Sequence, residues 1–133
     1  MRARTSRCRR ILPVFVAGMT LAWVGCERKA TADLIAQTRS ADSADRARAA
    51  KALGERPKDA ERAVPALIDL LKDPDAFVRR DAAQALGSLG PRAEPAATAL
   101  RTAAQDRNAH VRRAATEAIQ KVDPTGNVRA ASP

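Results

Sequence analysis

Residues 73–87 read DPDAFVRRDAAQALG. Asp73, Pro74 and Asp75 are turn and helix-start residues. Val78, Ala82, Leu86 and then Leu89 follow at helical spacing and make one apolar stripe. Gly87 occupies the place expected of a left-handed helix cap. The stretch also recurs. A shift of 33 residues carries Asp73 to Asp106, Val78 to Val111, Arg79 to Arg112, Arg80 to Arg113, Ala82 to Ala115, Leu86 to Ile119 and Leu89 to Val122. The opposite shift carries Arg79 to Arg46, Ala82 to Ala49, Ala83 to Ala50, Leu86 to Leu53 and Gly87 to Gly54. Leu34, Leu67 and Leu100 share a second register. A fixed period of this size signals stacked units, each too small to bury its apolar side alone.

The pattern Asp-Pro-Asp-x-x-Val-Arg-x-x-Ala-Ala-x-Ala-Leu-Gly, with AVPALIDLL at residues 63–71 as the other half of the unit, resembles HEAT-like repeats of the short, phycobilisome-lyase type. The resemblance covers residues 31 to 122. It implies an all-α fold, a short α-solenoid of antiparallel helix pairs stacked with a right-handed turn, and a scaffold for other macromolecules rather than a catalyst. It also implies that the Asp–Arg pairs six residues apart, Asp73 with Arg79 and Asp106 with Arg112, link successive loops by charge-assisted hydrogen bonds. Ser40 stands before Arg46 in the first unit, so a weaker rung is expected there. Reading Arg79 and Arg112 as ligand-binding residues is the alternative.

Helices are expected over residues 31–39, 42–53, 60–72, 75–89, 95–105 and 108–122. Pro65 leaves the third open to a start at Ala60 or near Val64, because proline is tolerated in a first turn. Gly54 and Gly87 are read as helix ends, and Gly90-Pro91 and Asp123-Pro124 as breaks. Asp45 and Arg56 replace the Val and Leu of later units, which suits a terminal repeat that faces water. The tail, residues 123–133, has almost no apolar content and is expected to be disordered. The core is rich in alanine, and Phe, Trp and Tyr make up 2% of the chain. Small side chains bring helices close but remove little apolar surface, at about 25 cal/mol per Å², so modest stability is expected.

The net charge of +9 first suggests nucleic acid. Five of the arginines, however, lie within the first ten residues, and from Cys26 onward 19 Lys and Arg face 15 Asp and Glu, a net of +4. The leader explains the bias. Residues 1–25 have the layout of a secretory signal, with Arg2, Arg4, Arg7, Arg9 and Arg10 ahead of a 15-residue uncharged stretch, ILPVFVAGMTLAWVG. That stretch is shorter than the roughly 20 residues of a membrane span. Val24-Gly25-Cys26 resembles a bacterial lipobox, with Trp23 where the usual pattern has Leu. The resemblance implies cleavage before Cys26, a lipid-modified Cys26, residues 26–30 as a tether, and an exported lipoprotein of the cell envelope on its periplasmic side or surface. Several acyl chains hold a protein firmly on a bilayer where one binds only marginally.

No catalytic, metal or cofactor site emerges. His110 is the only histidine and has no second His or Cys to build a zinc site. Residues 87–90, GSLG, form a helix exit and not a phosphate cradle. What remains is binding. The helices expected to line the concave side expose Asp69, Lys72, Arg101, Thr102 and Gln105, which become the candidate partner-binding residues. The leading function is therefore a non-enzymatic protein–protein interaction module on a bacterial envelope membrane, with an envelope or periplasmic protein as partner and no small-molecule substrate. The alternative is a nucleic-acid-binding protein that uses Arg79, Arg80, Arg112 and Arg113; export and the modest charge beyond the leader disfavour it.

Overall fold

The computed structural model describes residues 30–126. The expected signal segment, residues 1–25, the expected tether from Cys26 up to residue 29, and residues 127–133 of the tail lie outside them. Residues 30–37 are helical (α1), followed by α2 (Ser43–Gly54), α3 (Ala60–Leu70), α4 (Ala76–Leu89), α5 (Ala97–Ala103) and α6 (Ala109–Val122). No strand occurs among the described residues. The fold is the all-α stack of helix pairs that the 33-residue period requires.

Each even-numbered helix starts in the same way. Asp42, Asp75 and Asn108 have extended backbone, and their side chains accept from the N–H two residues on. This fills an orphan donor of the first turn. One step upstream, Asp73 Oδ1 and Asp106 Oδ1 accept from the N–H of Asp75 and Asn108 at 2.9 and 2.8 Å. Ser40 Oγ does the same for Asp42 at 3.2 Å. Serine thus keeps the turn-forming role of the aspartate it replaces.

α2, α4 and α6 form one layer, and their mutual packing is the most extensive in the molecule. Two glycines make the close approach possible. A Cβ on Gly54 would lie 2.7 Å from the Cα of Ala85, and one on Gly87 would lie 3.1 Å from the Cα of Ala118. The expectation that these glycines are left-handed caps is therefore corrected. Neither has a positive φ; among the described residues only Gly90 and Gly126 do. Gly54 and Gly87 recur because a neighbouring backbone passes where a side chain would stand. Gly90, at φ +58°, is the residue that turns the chain out of α4.

The other layer holds α1, α3 and α5, and between α3 and α5 runs the 3-10 segment Gly90–Ala96. The fifth helix is accordingly shorter than expected, beginning at Ala97 rather than Pro95. The third begins at Ala60, with Pro65 inside it. Glu61 and Pro65 are both exposed, so the carbonyl that loses its helical donor sits on the solvent side, where water serves it. Between the layers, Leu53, Leu67, Leu86, Leu100, Val78 and Val111 are fully buried. These are the repeated positions of both registers, each worth about 1.5–3 kcal/mol of burial. At the first edge of the stack, Thr31 donates to Asp59 Oδ2 at 2.5 Å and accepts from Arg56 Nη1 at 3.5 Å. The arginine in a leucine position thereby ties α1 to the turn before α3.

Candidate interaction face and the arginine ladder

Arg46, Arg79 and Arg112 occupy one register, and all three guanidinium groups are held alike. Nη1 of each donates to the two carbonyls that open its own unit: Ser40 and Ala41 at 2.9 Å each, Asp73 and Pro74 at 2.8 and 3.0 Å, Asp106 and Arg107 at 2.9 and 3.1 Å. Nε and Nη2 point onward. Arg46 grips Asp73 through both, at 2.7 and 3.0 Å, and Arg79 grips Asp106 at 2.8 and 2.9 Å. Arg46 and Arg79 therefore each contact the backbone of their own unit and the carboxylate of the next.

This arrangement corrects the expected pairing. The six-residue spacing brings Arg to the carbonyl of its own Asp; the carboxylate partner lies 27 residues on. It also removes the reason for a weak first rung, since Arg46 needs Asp73 and not an acid at position 40. Arg79 is 6% exposed, and its side chain and that of Asp106 keep 7% and 13%. The Arg79 hydrogen bonds, aided by the Asn108 N–H, hold the Asp106 carboxyl below the usual carboxylate range against the effect of burial. Burial pushes the Asp73 carboxyl up, but Arg46, the Asp75 N–H and the charge of Arg79 together bring it below that range. Arg79 is thus structural and unavailable to a ligand. Of the other arginines considered for nucleic acid, Arg80 pairs with Asp81 at 2.7 Å and Arg113 with Glu117 at 2.9 Å.

The five residues read as partner-binding fall on the α3/α5 side. Asp69 lies in α3 and Lys72 just beyond it; Arg101 and Thr102 lie in α5 and Gln105 just beyond. A shift of 33 residues superposes Asp69 on Thr102 and Lys72 on Gln105, so they form a row at the helix ends. The row is on α3 and α5, the second helix of each unit, opposite the closely packed α2/α4/α6 layer. Asp69 lines a groove with Ile35, Thr38, Arg39, Arg62 and Pro65, and the other four do not line it. Arg101 lies 3.8 Å from Asp123, and the Thr102 hydroxyl donates to the Thr98 carbonyl.

The α2/α4/α6 layer carries a second surface. Phe77, Arg80, Asp81, Gln84 and Ser88 lie along its outer side on α4. Lys51 of α2 and Glu55 just beyond it complete a groove of about 260 Å³ that Ala85 also lines. The equivalent groove between α4 and α6, of about 290 Å³, is lined by Gln84, Gly87, Ser88, Glu117 and Lys121. Ala85 lines the first groove and Gly87 the second. Phe77 is 67% exposed and is the only large hydrophobic residue so placed among the described residues. Arg80 lies over its ring, 5.3 Å from the centroid. That stack fixes the ring and covers one face while the other meets water. Sequence reasoning passed over Phe77, although the signal was present: an aromatic in the slot that holds Ala44 and His110 in the flanking units, three residues before an arginine.

Among the described residues no group of His, Cys, Asp and Glu could hold a metal ion, and no helix is long and apolar enough to cross a membrane. The family described as HEAT repeats matches residues 31–120. No curated protein matches the chain.

Proposed function

The chain belongs to the HEAT-repeat family, and from that premise we propose that it is a non-enzymatic interaction module which holds a partner protein on the α2/α4/α6 face and is tethered to a bacterial envelope membrane through Cys26. The observation that carries the binding face is the exposed Phe77 stacked under Arg80, a residue that lines the α2/α4 groove. Interface anchors are enriched in aromatic residues and arginine. A ring already fixed by its neighbour loses little freedom on binding. Each groove is flanked by one charge of each sign, Lys51 with Glu55 and Lys121 with Glu117, which suits a protein surface better than a uniformly charged polymer. The tether rests on the resemblance of residues 24–26 to a lipobox, and the partner is accordingly an envelope or periplasmic protein.

Two measurements test this reading. Mass spectrometry of the mature N-terminus should find a lipid-modified Cys26; an intact Met1 removes the tether. A photo-crosslinking amino acid at position 77, introduced in the native host, should capture one discrete protein, while the same group at Gln105 captures less. Equal or greater capture from Gln105 would move the binding face to the Asp69, Lys72, Arg101, Thr102 and Gln105 row.

A further inference from the structure

The ladder has two occupied rungs and a third prepared one. Arg112 is held by the carbonyls of Asp106 and Arg107, as Arg79 and Arg46 are by theirs. In those two, Nε and Nη2 carry the bidentate carboxylate. No carboxylate among the described residues reaches Arg112, which is exposed at the last edge of the stack. We propose that Arg112 is a preformed binding fork for a carboxylate side chain of an acidic segment in a partner protein. The inference rests on the proposed function only in taking the partner to be a protein.

The surrounding residues narrow the occupant. A further helix cannot lie on α6 as α6 lies on α4. The position of Gly54 and Gly87 is Gln120 in α6, and that of the buried Ala50 and Ala83 is the exposed Thr116. A Cβ is already too close at the earlier positions, so the longer side chains hold a helix off. A second copy stacked head to tail would offer Ser40 where the carboxylate is needed, so that arrangement lacks the acid. An extended or turn segment bearing Asp or Glu fits. The surrounding edge is complementary to it: Arg107, His110 and Arg113 are also exposed there, and the nearby acids Asp106 and Glu117 are engaged by Arg79 and Arg113. A carboxylate, not a phosphate, is assigned because the same fork takes aspartate in both preceding units.

The test uses the full chain labelled with 15N and an end-capped peptide of residues 72–75, Lys-Asp-Pro-Asp, as the probe. The Arg112 Nε–H resonance should move on titration, because a hydrogen bond forms at that atom. The same peptide with Asp73→Asn should bind about fivefold more weakly, and Arg112→Lys should abolish the difference, since an ammonium has the charge without the fork. Arg113→Lys should leave it in place. An unmoved Arg112 resonance, equal binding of the Asn peptide, or full discrimination by Arg112→Lys would each overturn the proposal. Crosslinking at position 77 does not involve this edge, so either idea can fail alone.

Discussion

Replacing Gly54 by alanine should destabilise the domain, although alanine is the better helix former. The added methyl would stand 2.7 Å from the Cα and 2.8 Å from the Cβ of Ala85, against about 3.5–4.0 Å for a relaxed carbon pair. The obstacle is mostly backbone, so no rotamer change relieves it, and α2 and α4 must separate by roughly 1 Å. A gap of that size forfeits about a quarter to a half of the dispersion attraction across it. Overpacking of this kind costs about 1–3 kcal/mol. The gain from helix propensity is at most about 1 kcal/mol, and less here because Gly54 is the last residue of α2. The expected net loss is about 1–2 kcal/mol. With a urea slope of about 1 kcal/mol per M, the midpoint falls by about 1–2 M at unchanged slope. Gly87→Ala, with its nearest contact at 3.1 Å, should cost less, and Gln120→Ala should stay within about 0.5 kcal/mol. A Gly54→Ala protein whose midpoint equals or exceeds the parent's would refute the close-approach argument.

Other outcomes follow from the same contacts. Asp73 and Asp106 have folded pKa values below their unfolded ones, so their contribution is complete above about pH 4 and lost as pH falls through the folded values. Stability should therefore be steady from pH 5 to 8 and decline below about pH 4, with a shallower decline in Asp106→Asn. Phe77→Ala should change stability by less than about 0.5 kcal/mol while sharply reducing partner capture. That result separates a binding anchor from a packing residue, and unfolding and co-purification measured on one sample decide it. Leu86→Ala, at a fully buried repeat position, should cost about 2–5 kcal/mol, enough to leave a small alanine-rich domain largely unfolded at 37 °C.

The period of 33 made the helix pairs, the core leucines and the Asp and Asn starts legible, because each depends on local spacing or on a side chain reaching its own backbone. The glycines were misread for a physical reason. A helix exit and a helix–helix contact both select glycine, and sequence alone does not separate a positive φ from an approaching Ala85 or Ala118. The rung partners were misassigned because Asp73 and Arg79 are near in sequence, while the bidentate acceptor of Arg79 is reached only after the chain completes another helix pair. Which layer is closely spaced depends on Gly54 and Gly87 as contacts, a role their place near the helix ends did not announce. Phe77 was passed over because the same helix-start slot holds Ala44 and His110 in the flanking units, and only its exposure marks it out.

The central structural claim is that each unit is fastened to the next by an arginine reaching forward. A double-mutant cycle with Arg79→Gln and Asp106→Asn, measured by urea unfolding, tests it most directly. A coupling of about 1.5–3 kcal/mol between Arg79 and Asp106, clearly larger than that between Arg79 and Asp73, is the expected result. A coupling near zero, or a stronger one to Asp73, would contradict it.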